Sequence, residues 1–275
     1  MQSAIERWHE MLGARAKQMD AAYAQLGRTS ADFWERRAKN YHRSTKESVT
    51  KDPLFLKLRQ VVTPQTSVLD VGAGTGRFTL ALAPYAQHIT AVEPSAAMLE
   101  FLRQDANNEG LTNIAYVPTS WQDAPTDLRA DIVVCSHVLY PILNVDAFIS
   151  KLRVATGRAC YIYMRAIQFD TITSPLWQHF HGDARHSAPG YIHALDVLFE
   201  MGIYADVEIV YMPGIMRYSS LDAATEELLE QLILPDDERT RAELRMLLAT
   251  WLVEREGVFV PPVDVQTAAI IRMVP

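Results

Sequence analysis

Val68-Leu69-Asp70-Val71-Gly72-Ala73-Gly74-Thr75-Gly76-Arg77-Phe78 decides how this chain folds. An apolar, β-branched run leads into a turn with glycine at every second position, and a helical pattern opens directly after it. Glycine gives such a turn access to positive φ and leaves no Cβ between the backbone and an approaching ligand. The helix that follows presents unpaired N–H groups and a partial positive charge at its first turn. Strand, glycine turn and helix together read as a ligand-binding βα unit.

Two details narrow the ligand. The spacing is G-x-G-x-G, whereas the dinucleotide fingerprint is G-x-G-x-x-G, and its third glycine position holds Arg77. Asp70 lies two residues before the first glycine, where a carboxylate repels a pyrophosphate and attracts an ammonium group. The loop therefore suits a zwitterion carrying a cationic sulfonium better than a nicotinamide dinucleotide. Next, Ile89-Thr90-Ala91-Val92-Glu93-Pro94-Ser95 ends a second apolar run in a carboxylate. Glu93 is placed to accept hydrogen bonds from two ribose hydroxyls; its other reading is an acidic cap on the next helix.

Outward from this segment, strand patterns at Ser67–Val71, Ile89–Val92, Ile114–Val117, Ile132–Ser136 and Ala159–Met164 alternate with helical ones at Phe78–Pro84, Ala96–Glu109 and Asp146–Thr156. Near-continuous apolar strands separated by helices predict a parallel sheet covered on both faces. A His-rich loop, a helix over 191–201 and strands Val207–Met212 and Thr267–Met273 follow. Between those strands the spacing of Leu221, Leu228, Leu232, Leu244, Leu248 and Trp251 predicts a helical cap insertion at about 219–258. Residues 1–60 read as an N-terminal helical arm, and 61–275 as the main domain. Within the arm Ile5, Trp8, Leu12, Met19 and Tyr23 sit at helical spacing, Gly27 breaks the pattern, and Ser30 caps a second helix with Phe33, Trp34 and Tyr41. Packing onto the core is one role for this arm; a lid or dimer contact is the other.

Composition excludes several classes. The chain has 275 residues, 49% hydrophobic, with a formal net charge of −7. That charge disfavours a nucleic-acid backbone as partner, and the local basic cluster from Arg36 to Lys46 reads as a solvated helix face. No apolar run reaches the roughly 18 residues of a membrane span, and no signal peptide precedes the arm. The two cysteines, Cys135 and Cys160, sit in apolar runs and read as buried thiols, suited to a reducing cytoplasm.

With VLDVGAGTG followed by a strand ending in Glu93, the chain resembles the class I S-adenosylmethionine-dependent methyltransferases. The resemblance implies a Rossmann-like α/β fold, a seven-stranded mostly parallel sheet with helices on both faces and one antiparallel strand near the end. It also implies S-adenosyl-L-methionine as cofactor and S-adenosyl-L-homocysteine as product. Carried over position by position, Asp70, Gly72, Gly74 and Gly76 face the methionine part, Glu93 the ribose, and Ser95 and Met98 the adenosine. After the third strand many relatives carry an acidic adenine ligand; here Ser120 stands at that position, with Trp121 beside it to flank the ring and Asp123 as a substitute. Ser136, at the end of the fourth strand, falls near the transferred methyl group.

His137 is the candidate general base, should the acceptor have to lose a proton; otherwise it packs or hydrogen-bonds against the cofactor. Tyr41, Tyr140, Arg165, His179 and His181 are candidates for the acceptor pocket. The cluster from His179 to His186 fits no metal-ligand template, so no metal is expected. The functional expectation is methyl transfer to an oxygen or nitrogen of a small molecule by a monomer or homodimer. A protein or peptide side-chain methyltransferase and a non-catalytic cofactor-binding subunit are the alternatives.

Overall fold

The computed structural model describes residues 2–29, 49–211, 216–262 and 267–275. The expected second helix with Ser30 and Tyr41, and the basic cluster from Arg36 to Lys46, lie outside the described residues. Nine strands are described: β1 (Ser67–Val71), β2 (His88–Val92), β3 (Ile114–Val117), β4 (Ala130–Ser136), β5 (Thr156–Arg165), β6 (Asp206–Tyr211), β7 (Val253–Arg255), β8 (Val258–Val260) and β9 (Thr267–Met273). Seven of them form one sheet in the order β3-β2-β1-β4-β5-β9-β6. Pairs from β3 to β5 are parallel, and β9 runs antiparallel to both of its neighbours. This is the seven-stranded, mostly parallel sheet that the family resemblance implied.

Alternation along the strands divides the core. Leu69 and Val71, Val133 and Cys135, and Cys160, Ile162 and Met164 point to one face. Val68, Ile132, Val134, Tyr161 and Tyr163 point to the other. Each face needs a helical cover, which is why these strands read as unbroken apolar runs. The helices are α1 (Ala4–Gln25), α2 (Pro53–Leu58), α3 (Arg77–Leu82), α4 (Ala96–Asn108), α5 (Val145–Ala155), α6 (Phe169–His181), α7 (Tyr191–Glu200), α8 (Leu221–Gln231) and α9 (Glu238–Trp251). Helices α1, α5 and α7 cover the first face; α2 and α3 cover the second. Cys135 and Cys160 are free thiols buried in the first core. Among the described residues no helix is long and apolar enough to cross a membrane.

Helix α1 starts at a capping box in which Ser3 and Glu6 satisfy each other's backbone N–H groups. It spans two cores. Trp8 is fully buried in the sheet core and donates its indole N–H to the Ile142 carbonyl at 2.7 Å. Ala22 and Tyr23, near its other end, belong to a separate core with Trp177, Leu228, Leu232, Leu244 and Leu248. The described part of the arm is thus packing material that ties the sheet to the cap.

The insertion consists of α8, α9 and the β7–β8 hairpin. Sequence reading missed the hairpin, although Glu256 and Gly257, with φ of 51° and 75°, form the two-residue turn that the twist of paired strands favours. The His-rich segment is also corrected: residues 169–181 form α6, despite Pro175, and not a loop. Asp170 on α6 is buried between two arginines. Its Oδ2 accepts from Arg15 Nε at 2.7 Å, and its Oδ1 forms an ion pair with Arg185 Nη2 at 2.9 Å. Arg185 also donates to Thr173 Oγ1 and to the Gln231 carbonyl of α8. One carboxylate therefore links the arm, α6 and the cap.

Candidate active site

The chain leaves β1 for β2 on one side and returns to β4 on the other, so the sheet has its switch point between β1 and β4. Ligands of open α/β sheets bind at the carboxyl ends of the strands at such a point. The glycine turn is built there. Gly72, Gly74 and Gly76 have φ of 72°, 58° and 91°, a region that costs other residues about 1–2 kcal/mol. A Cβ on Gly72 would come within 2.4 Å of Val138 Cγ2, and one on Gly76 within 2.3 Å of Leu102 Cδ1. The turn is pinned to β2 because Gly72 and Ala73 both donate to the Val92 carbonyl, at 2.8 and 3.1 Å.

Asp70 sits under this turn, buried, with Oδ2 accepting from Thr79 Oγ1 of α3 at 2.7 Å. It braces the start of α3 against β1. Burial is the main cause that raises its carboxyl to about 6, and the Thr79 bonds work against it. The folded state therefore holds a proton that the unfolded chain, titrating near 3.9, has lost over the window between. Stability should fall as pH rises from about 4 to 6, by up to roughly 3 kcal/mol. Asp70→Asn should flatten that slope in denaturant titrations; an unchanged slope would place the titration elsewhere.

Glu93, at the end of β2, is buried. Its Oε2 accepts from the Gly74 N–H and its Oε1 from the Ser95 N–H, both at 2.9 Å. Burial raises its pKa and the two N–H bonds oppose that rise. The carboxylate thus joins the glycine turn to the following turn, and each oxygen keeps a further lone pair for a ligand. Both sequence readings of Glu93 are therefore geometrically compatible, because its bond to the Ser95 N–H lies just ahead of α4. Ser95 caps α4 by accepting from the Met98 N–H, and Met98 is buried on the first turn of that helix.

The third element is different. Ser120 donates to Asp123 Oδ2 at 2.6 Å and accepts from the Asp123 N–H, closing a turn after β3. Trp121 is a correction. It is 3% exposed in the sheet core, packs edge-on against Phe148, donates its N–H to the Phe148 carbonyl and is covered by the Lys151 ammonium. Its ring is occupied on the core side and offers no open face to a base.

At the ends of β4 and β5 a polar cluster forms. Ser136 is half-buried and pairs with Tyr163 across the two strands. His137 adopts φ of 60°, sparsely populated for a residue with a Cβ, and is held there by its N–H donating to the Tyr163 carbonyl at 2.8 Å. Its Nδ1 lies 3.0 Å from the Tyr140 hydroxyl, and the Tyr140 oxygen accepts from the Arg165 N–H at 2.7 Å. Burial, and then the charges of Arg165 and Arg77, push the imidazole well below its usual range. Tyr163 is raised, chiefly by burial. Strained backbone of this kind concentrates at functional sites.

His179 and His181 do not join this cluster. His179 Nε2 pairs with Glu243 of α9 at 2.8 Å, while His181 bonds the Leu232 carbonyl and stacks on Trp177 at 3.9 Å. They fasten α6 to the cap, which corrects their reading as acceptor-pocket residues. Among the described residues no group of three or more His, Cys, Asp or Glu could hold a metal. Tyr41 lies outside the described residues.

Sequence reading missed one partner. Asp52, read only as a helix start before Pro53, caps α2 and also accepts from Arg77 Nη2 at 2.5 Å. The two residues stand 25 apart in sequence, and no local pattern announces the pair. Arg77, noticed only for not being glycine, thereby reaches from the glycine turn toward the β4–β5 cluster.

Residues 68–158 match the family model described as a methyltransferase domain. The chain is 28% identical over 165 residues to an uncharacterized protein of Haemophilus influenzae, covering 56% of this chain and 58% of that one. It spans less than two thirds of that relative's length. In fold it is similar to a putative methyltransferase from Bacillus halodurans, with a TM-score of 0.56 and 19% identity over 79% of this chain and 96% of that one. It is also similar to magnesium protoporphyrin IX methyltransferase from Synechocystis, solved with bound S-adenosylhomocysteine, with a TM-score of 0.51 and 12% identity over 86% and 83% of the two chains. The methyltransferase-domain match covers the glycine turn, the acidic end of β2 and β4, and the sheet order in which they are set is the Rossmann-like α/β fold of these neighbours.

Proposed function

We propose that the whole chain transfers the methyl group of S-adenosylmethionine to an oxygen or nitrogen of a small molecule. The observation that carries this reading is the juxtaposition of Glu93, held by the glycine turn, with the His137–Tyr140–Arg165 cluster across the β1–β4 switch point. The cofactor fits the residues present: a buried carboxylate with spare lone pairs suits ribose hydroxyls.

When bound, S-adenosylmethionine supplies an electrophilic methyl group on a sulfonium. The protein's task is then positional. Glu93 and the glycine turn fix one end of the ligand, with Asp70 bracing the turn from below. Ser136 and the β4–β5 cluster hold an acceptor in line, and such alignment with the reacting atoms about 3–3.5 Å apart can supply much of the rate.

The test is transfer from methyl-labelled S-adenosylmethionine into a cell extract split by ultrafiltration. Label is expected in the small-molecule fraction. Label in the macromolecular fraction would favour a protein or peptide acceptor. No transfer by protein that binds S-adenosylhomocysteine would favour a non-catalytic subunit.

A further inference from the structure

Two buried side-chain nitrogens in the cluster at the carboxyl edge have no hydrogen-bond partner, His137 Nε2 and Arg77 Nε. A buried polar atom left unpaired costs about 1–3 kcal/mol, so two around one edge call for a ligand that completes them. The Arg77 Nε–H can only donate. The Tyr140 oxygen already accepts from the Arg165 N–H, and we assign its hydroxyl proton to His137 Nδ1. The neutral imidazole then carries its own proton on Nε2. Both orphaned nitrogens are therefore donors, and the Arg77 and Arg165 guanidinium charges act on the same imidazole. The complement of such a site is an anionic oxygen.

The groups here are poor bases. Burial and two nearby cations keep His137 neutral, so taking a proton costs it more than usual. Tyr140 is engaged with His137 and Arg165, while Asp52 is paired with Arg77 and caps α2. An alcohol, or a phenol titrating near 10, would need help to ionise, whereas a carboxylate titrating near 4 needs none.

Resting on the methyltransferase reading above, we propose that the methyl acceptor is a carboxylate, bound through His137 Nε2–H and Arg77 Nε–H. A lone pair of the carboxylate oxygen forms the new O–CH3 bond as the C–S bond breaks. Sulfur keeps the bonding pair and becomes a neutral thioether, the acceptor becomes a methyl ester, and no proton moves. His137 is on this account a donor that binds the acceptor and not a general base.

Acetate is the smallest probe of this subsite, and acetamide its uncharged counterpart. Protein labelled with nitrogen-15 histidine and saturated with S-adenosylhomocysteine is titrated with each at constant ionic strength. The His137 Nε2 signal is identified by its loss in His137→Gln. Acetate is expected to move that signal saturably and acetamide to leave it in place. Arg77→Lys, which keeps the charge and removes Nε–H, should weaken acetate about ten-fold, or about 1.4 kcal/mol. No movement with acetate, or equal movement with acetamide, overturns the inference. Failure to bind S-adenosylhomocysteine at all, read separately by thermal unfolding, overturns the cofactor reading beneath it. A protein that binds the cofactor product and ignores acetate loses only the carboxylate.

Discussion

In Glu93→Ala, affinity for S-adenosylhomocysteine should fall about 10²–10⁴-fold. Two hydrogen bonds from ribose hydroxyls to a charged acceptor contribute roughly 1.5–3 kcal/mol each, and 1.4 kcal/mol is a factor of ten. A second effect reinforces the first. The same carboxylate satisfies the N–H groups of Gly74 and Ser95. Alanine leaves both without their partner, so the glycine turn loses its tie to the start of α4. Glu93→Gln keeps one acceptor oxygen and should fall between wild type and alanine. Calorimetric titration of the three proteins reads this order directly. A loss of less than ten-fold in Glu93→Ala would mean that Glu93 only caps the turn and that the ribose is held elsewhere.

The largest stability effect is expected at Asp170. Asparagine there keeps the shape and removes the charge, leaving the Arg185 side chain, 5% exposed, with its main counter-charge gone. Breaking a buried ion pair from one side costs about 3–5 kcal/mol. For a chain of this size that lowers the unfolding midpoint by roughly 10 °C. Asp222→Asn is the control, because the Arg245–Asp222 pair is 54% and 78% exposed and such pairs contribute at most about 1 kcal/mol. Asp170 holds Arg15 of the arm and Arg185, which in turn bonds the Gln231 carbonyl of the cap, so proteolysis of the variant should begin in these two elements. Equal small shifts in both variants would show that apolar packing alone holds the cap.

The sheet was legible because its information is local. Most strands of the sheet announce themselves as apolar runs, although β5 extends beyond the expected Ala159–Met164 to Thr156–Arg165 and β6 is mostly exposed, and period-two alternation assigns Leu69 and Asp70 to opposite faces. The geometry of the glycine turn was legible for the same reason: glycines at 72, 74 and 76 and an acid at 93 lie within two βα units whose geometry follows from φ and handedness. What failed to read depends on tertiary partners. Trp121 looks the same in sequence whether it flanks a ligand or fills a core, and only packing against Phe148 decides. His179 and His181 suggest chemistry as neighbours in a string, yet a helix carries them to the cap. The Asp52–Arg77 pair joins positions with no shared periodicity. The short β7–β8 hairpin was hidden between helical patterns, with Glu-Gly as its one signal.

Thermal unfolding of the wild-type protein with S-adenosylhomocysteine or NAD tests whether the β1–β4 edge binds S-adenosylmethionine and not a dinucleotide. At about 100 times its dissociation constant a ligand adds about 2.7 kcal/mol of stability, a rise of roughly 5–10 °C. That rise is expected with S-adenosylhomocysteine, and none with NAD. An equal rise with NAD, or no rise with saturating S-adenosylhomocysteine on folded protein freed of co-purified ligand, would contradict it.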